Sequence, residues 1–235
     1  MQIYVDGPDG HFTPLEGEEL ERAREALWRS DLISFADKYV DQDLCMEHPA
    51  FDEFYRRLSA LVWLHRTVDQ GVEAISAKHA HSKRTGDHRM SGWAGECDML
   101  LDDEIYLRED LLKINSGALI ASCAAALESL ASALLDRVED RSLRRQGLQR
   151  KIEAILERWP DVDDPDGIKQ EVKWIADRRN AFAHSLLDEV DVSERIRKTW
   201  TFDPAAVEEA FVRVGSVAGR LAECWLIESD SAVET

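Results

Sequence analysis

From Ile114 to Leu135 the chain carries a single charged side chain, Glu128. A stretch this long and apolar is either a membrane span or the central helix of a bundle. Ala and Ser dominate it rather than Leu and Ile, and a carboxylate near mid-bilayer costs about 2.5–3.5 kcal/mol. We therefore expect a core helix of a soluble all-α protein and no membrane partner. The stripe Ile105, Leu112, Leu119, Cys123, Leu127, Leu130 and Leu134 has helical spacing and predicts one long helix from Asp102 to about Asp140. Inside such a helix Glu128 must either pair with a cation across the bundle, with Arg179 as the candidate, or face a wet groove.

The rest of the chain follows the same pattern. Residues 1–15 suggest a small β-hairpin turning at Asp6-Gly7-Pro8-Asp9-Gly10. Leu20, Ala23, Leu27, Leu32, Phe35 and Tyr39 mark a first helical stripe, and Pro49 offers a first-turn position for a second helix running through Phe51, Phe54, Leu58 and Val62 to Ile75. Residues 79–97 interrupt the periodicity and hold His79, His81, His88 and Cys97. The spacing matches no metal signature, so a polar loop, a flap or a boundary is expected, and no metal or cofactor. A helix beginning at Ser142 should end at Trp159-Pro160, and the pairs Asp164-Pro165 and Asp203-Pro204 read as caps of two more helices. This gives an N-terminal helical region over 1–100, a helical bundle over 101–228 and a polar tail over 229–235.

The balance of charge, 29 basic against 47 acidic side chains or −18 net, excludes a protein that coats nucleic acid indiscriminately. Two local basic runs remain, Arg141 to Lys151 and Lys78 to Arg89, either of which could guide a phosphate backbone. The four cysteines form no CxxC pair and the N-terminus has no signal-peptide pattern, as expected of a cytoplasmic protein.

One helical segment breaks the pattern of a plain core helix. In Asp177-Arg178-Arg179-Asn180-Ala181-Phe182-Ala183-His184, Arg179 falls within the apolar face drawn by Ile175, Phe182, Ala183, Leu186 and Leu187. A guanidinium there must meet a carboxylate, a second subunit or an opening that admits an anion, because burying it unpaired costs several kcal/mol. Asn180 lies one turn before His184 and can orient its ring. Imidazole serves as acid or base near neutral pH, and Arg offers a planar fork matched to phosphate oxygens. Arg179 and His184 thus form a minimal pair for metal-free RNA cleavage, with Arg178 either a solvated side chain or a second phosphate contact. A single His is poorly placed to act as base and acid in one step, so a two-fold dimer would complete the site.

Arg179-Asn180-Ala181-Phe182-Ala183-His184, between a long upstream helix and another downstream, resembles the signature of the HEPN superfamily over residues 105–228. The resemblance implies a helical bundle that dimerises through the motif helix and a metal-independent endoribonuclease with Arg179, Asn180 and His184 as site residues. It further implies a toxin or anti-phage setting with RNA as substrate and, for a toxin, a cognate antitoxin. The family also holds members that have lost catalysis, so a non-catalytic dimerisation or partner-binding module is the alternative.

Overall fold

The computed structural model describes residues 4–6, 12–14, 17–28, 36–40, 48–135, 143–159, 162–187 and 201–233. Two three-residue strands, β1 (Tyr4–Asp6) and β2 (Phe12–Pro14), pair antiparallel with Val5 opposite Thr13. The turn residues between them lie outside the described residues. Everything else of regular structure among the described residues is helical: α1 (Gly17–Trp28), α2 (Pro49–Thr85), α3 (Ala94–Leu135), α4 (Leu148–Arg158), α5 (Pro165–Leu187) and α6 (Pro204–Val233), with one 3-10 turn at Leu143–Arg145. The chain is all-α in class.

Helix α3 is the hub, packing against α2, α4, α5 and α6. Its apolar half is buried in the bundle through Leu119, Ile120, Cys123, Leu127 and Leu130, which is the environment the Ala- and Leu-rich sequence requires. By length and composition α3 could also cross a membrane, but 56% of its most apolar stretch is buried inside the protein. At 42 residues it is about 63 Å long, and the 37-residue α2 about 55 Å. The core cannot cover that length. On α2 the buried apolar side chains run from Phe51 to Val62, and beyond His65 only Ser82 is buried. On α3 the buried run begins at Ser116, and before it only Leu101 is buried. The far halves of the two helices therefore form an antiparallel hairpin projecting from the bundle.

This corrects the expected loop at 79–97. Helix α2 continues to Thr85, α3 starts at Ala94, and only eight residues connect them. The expected domain boundary at residue 100 falls inside α3, and the expected tail at 229 falls inside α6. His79, His81, His88 and Cys97 are not drawn into one ligand set. Gly86, at φ 71°, ends α2 in the left-handed conformation that a glycine adopts without strain, its N–H donating to Ser82 O at 2.8 Å. Asp98 then closes the tip. It accepts from Arg89 Nε and Nη2, both at 2.9 Å, and its Oδ1 lies 2.7 Å from His88 Nε2.

The paired Arg89 guanidinium, with His88 adding to it, holds the Asp98 carboxyl at about 2, against an ordinary 3.8. A carboxyl depressed in the folded state stabilises it above the unfolded value, and that contribution fades as pH falls from about 4 through about 2. An NMR titration should thus find Asp98 with a midpoint near 2, and Asp98→Asn should lower amide-exchange protection at the tip at pH 5 without unfolding the bundle. A midpoint at the ordinary 3.8 would show that the clamp does not hold.

The expected helix starts are realised at three places. His48 Nδ1 accepts from Ala50 N at 3.1 Å ahead of Pro49, Asp164 Oδ1 from Gly167 N at 3.0 Å, and Asp203 Oδ1 from Ala206 N at 2.8 Å. The helix expected from Ser142 starts later, because Gly147 is extended (φ −75°, ψ 171°) and caps α4 without a side-chain acceptor.

Candidate functional site

Helix α5 crosses α3 at two side chains one turn apart. Phe182 lies against Gly117, where any Cβ would overlap its ring, and Arg179 reaches Glu128. Ile175, fully buried, and Phe182, 9% exposed, mark the apolar face, with Arg179 between them as the spacing required. Ala183, expected on that face, is exposed.

Arg179 Nη1 donates to Glu128 Oε2 at 2.8 Å, and Lys151 Nζ donates to Glu128 Oε1 at 2.9 Å. One carboxylate thus bridges two cations, leaving a formal +1 on the trio. Lys151 is 4% exposed and has its charge compensated within the bundle. Arg179 keeps 32% of its side chain exposed and, with Asn180, lines an open cleft of about 310 Å³ between α5 and the start of α4. Gly147, Gln149, Arg150 and Glu153 form the opposite wall. Arg150 is tied to Glu153 at 3.0 Å and Glu157 at 3.4 Å. The cleft is therefore of mixed charge, with Arg179 its centre of net positive charge.

Asn180 is exposed, and its Oδ1 is 3.5 Å from Arg179 Nη2. His184 lies one turn further along α5, and its side chain is outside the described residues. Asp177 pairs with Lys173 at 3.2 Å rather than joining Asn180. Arg178, the expected second phosphate contact, does not line the cleft. Its guanidinium stacks 3.5 Å over the Trp174 ring, with Arg213 4.8 Å from the same ring, and burial lowers its pKa from the ordinary value. That placement makes it part of the α5–α6 packing.

Both basic runs shrink on folding. Lys151 is spent on Glu128, Arg150 on Glu153 and Glu157, Lys83 on Asp102, and Arg89 on Asp98. Arg141 and the side chain of Arg144 lie outside what the structure describes. Sequence reasoning assigned Lys151 to a surface patch, yet it stands three residues after Leu148 and four before Ile155, within the apolar face of α4. That position was the signal that it needed a buried anion. A scan against protein-family models found no match to this chain, and searches of curated proteins and of solved structures found none either.

Proposed function

We propose that this chain is a metal-independent endoribonuclease with a HEPN-like bundle, acting in the cytoplasm as a toxin or anti-phage effector. Two copies meet through α5 so that two motifs share one RNA phosphate. The 2′-hydroxyl loses its proton to the His184 imidazole of one copy and attacks the adjacent phosphorus. The bond to the 5′-oxygen breaks, and that oxygen takes a proton from His184 of the second copy, leaving a 2′,3′-cyclic phosphate. Arg179 stabilises the extra negative charge on the phosphate oxygens, and Asn180 positions the ring one turn beyond it. The observation that supports this reading is the seat of Arg179, anchored by Glu128 at 2.8 Å yet open to a cleft it shares with Asn180. An arginine fixed in this way presents its remaining donors to an anion with little reorganisation.

The test is cleavage of total cellular RNA in EDTA by the wild type and by His184→Ala. The wild type is expected to give 2′,3′-cyclic phosphate ends, and the variant to be slower by at least about 100-fold. Equal products from both, or ends of another kind, would refute the mechanism.

The Glu128 bridge also favours a second reading. It compensates Arg179 within its own bundle, so the residue has a structural role without any RNA. On that reading the chain is a HEPN-like module for dimerisation or partner binding, and a folded dimer that cuts nothing under any condition is the expected result.

A further inference from the structure

The projecting hairpin of α2 and α3 carries more apolar surface than its seam can bury. Its inner seam is mixed, with Asp69, Ser76, Arg108 and Asn115 sharing the inward positions with Val68, Val72, Leu101, Ile105 and Leu112, and Arg108 Nη1 donates to Ser76 Oγ across it at 2.8 Å. Its outer surface carries the large apolar groups. Of the twelve large hydrophobic side chains exposed among the described residues, all but Val212 lie between Trp63 and Ile114.

These side chains are not scattered. At about 100° per residue, Leu64 and Ile75 on α2 lie about 110–130° from the seam, and Leu100, Leu107, Leu111 and Ile114 on α3 lie about 50–110° from it in the same rotational sense. In an antiparallel pair, rotations of the same sense point to the same side. The six side chains, between 44 and 69% exposed, therefore form one continuous apolar face. Leu64 to Thr85 spans about 30 Å, and two helices side by side are about 20 Å wide, so the face offers roughly 600 Å² per copy. Pairing two such faces buries about 1,200 Å², the lower bound of stable interfaces.

We propose that this face pairs with the same face of a second copy, forming a four-helix bundle about a two-fold axis parallel to the hairpin. The charge at its rim selects both the occupant and the orientation. The α3 edge carries Glu96, Asp103, Glu104 and Asp110, all exposed, whereas the exposed charge on the distal α2 edge is Lys78. An acidic rim repels the anionic surface of a membrane. Laying α3 on its own copy would set acid against acid. Laying α2 on the α3 of the second copy sets Lys78 among those acids and leaves every neighbouring helix antiparallel. The register also fits. The Arg108–Ser76 contact and the Arg57–Ser129 contact at 2.7 Å place Ile75 level with Leu111, and Gly71 level with Ile114. A Cβ at Gly71 would meet nothing within 4 Å, so the Ile114 of the second copy has room to seat there.

This pairing uses a face separate from the motif of α5 and does not rest on the nuclease reading. Light scattering after gel filtration of the full chain at about 50 μM tests it. The wild type should have a mass of two or more 26.7 kDa chains. Leu107→Glu combined with Leu111→Glu should halve that mass, as should Ile75→Arg on the other helix, with helical circular dichroism unchanged. Tyr106→Glu is the control: Tyr106 is 68% exposed but points away from the seam, about 110° round α3 from the face, so the mass should not change. A monomeric wild type overturns the proposal and leaves the face to a different protein or, if the chain floats with lipid vesicles, to a membrane. Variants that keep the wild-type mass, or a control that halves it equally, also overturn it.

Discussion

Glu128→Ala is expected to destabilise the fold by about 3 kcal/mol, far more than the loss of its partner Lys151 would. The reason lies in which charges each change leaves uncompensated. Removing Glu128 leaves Lys151, 4% exposed among Leu148, Ile152 and Ile155, without an anion, and releases Arg179 as well. Lys151→Met removes the buried cation, keeps an apolar stem of similar length and leaves Glu128 paired with Arg179 at 2.8 Å. Replacing a buried ion by a fitting apolar side chain is often neutral, so a change within about 1 kcal/mol is expected. Urea denaturation of the two variants and of the double variant decides it. If Lys151→Met costs as much as Glu128→Ala, the ion pair itself is the source of stability. If Lys151→Met restores much of what Glu128→Ala loses, the unpaired lysine is the source. The same set of variants bears on function: Lys151→Met should leave any RNA cleavage in place, because Arg179 keeps its anchor.

Where a residue type admits one local role, the sequence was legible. Asp before Pro at 164–165 and 203–204 starts a helix because the side chain accepts an orphan N–H and proline gives up none. The Arg179–Glu128 pair was legible for a related reason. Each is a charge in an apolar face, and few partners of opposite sign were on offer. The hairpin was not legible because its sequence blurs the usual pattern. With Asp69, Ser76 and Arg108 sharing the inward positions with Val68 and Val72, and leucines also outward, the apolar periodicity that marks a helix fades near Ile75, and the His- and Lys-rich stretch to Thr85 looks like a loop. The helix there is held by α3 and by the Gly86 and Asp98 contacts at the tip, which are tertiary and leave no local period. Arg178 lies away from the cleft for another reason. One residue from Arg179 is about 100° around the helix, enough to carry it from the cleft to the Trp174 ring.

The close crossing of α3 and α5 should show in a double-mutant cycle at Gly117 and Phe182. Phe182→Ala removes a ring that is 9% exposed and packed edge-on against Phe202 at a centroid distance of 5.5 Å, and should cost about 3–4 kcal/mol. Gly117→Ala alone sets two effects in opposition. Alanine is favoured over glycine inside a helix by about 1 kcal/mol, but its Cβ would overlap three carbons of the Phe182 ring, and overpacking costs about 1–3 kcal/mol. The clash should win, because a ring locked between two helices cannot swing aside as a flexible side chain does. In the Phe182→Ala background the clash is gone, and the same Gly117→Ala should become stabilising, filling part of the cavity and recovering helix propensity. The sign reversal, a coupling of about 2 kcal/mol, is the expected signature. Equal effects in both backgrounds would mean that the helices separate freely at this point. That outcome would also bear on the site, since Arg179, which meets Glu128 at 2.8 Å, sits one turn from Phe182 on α5.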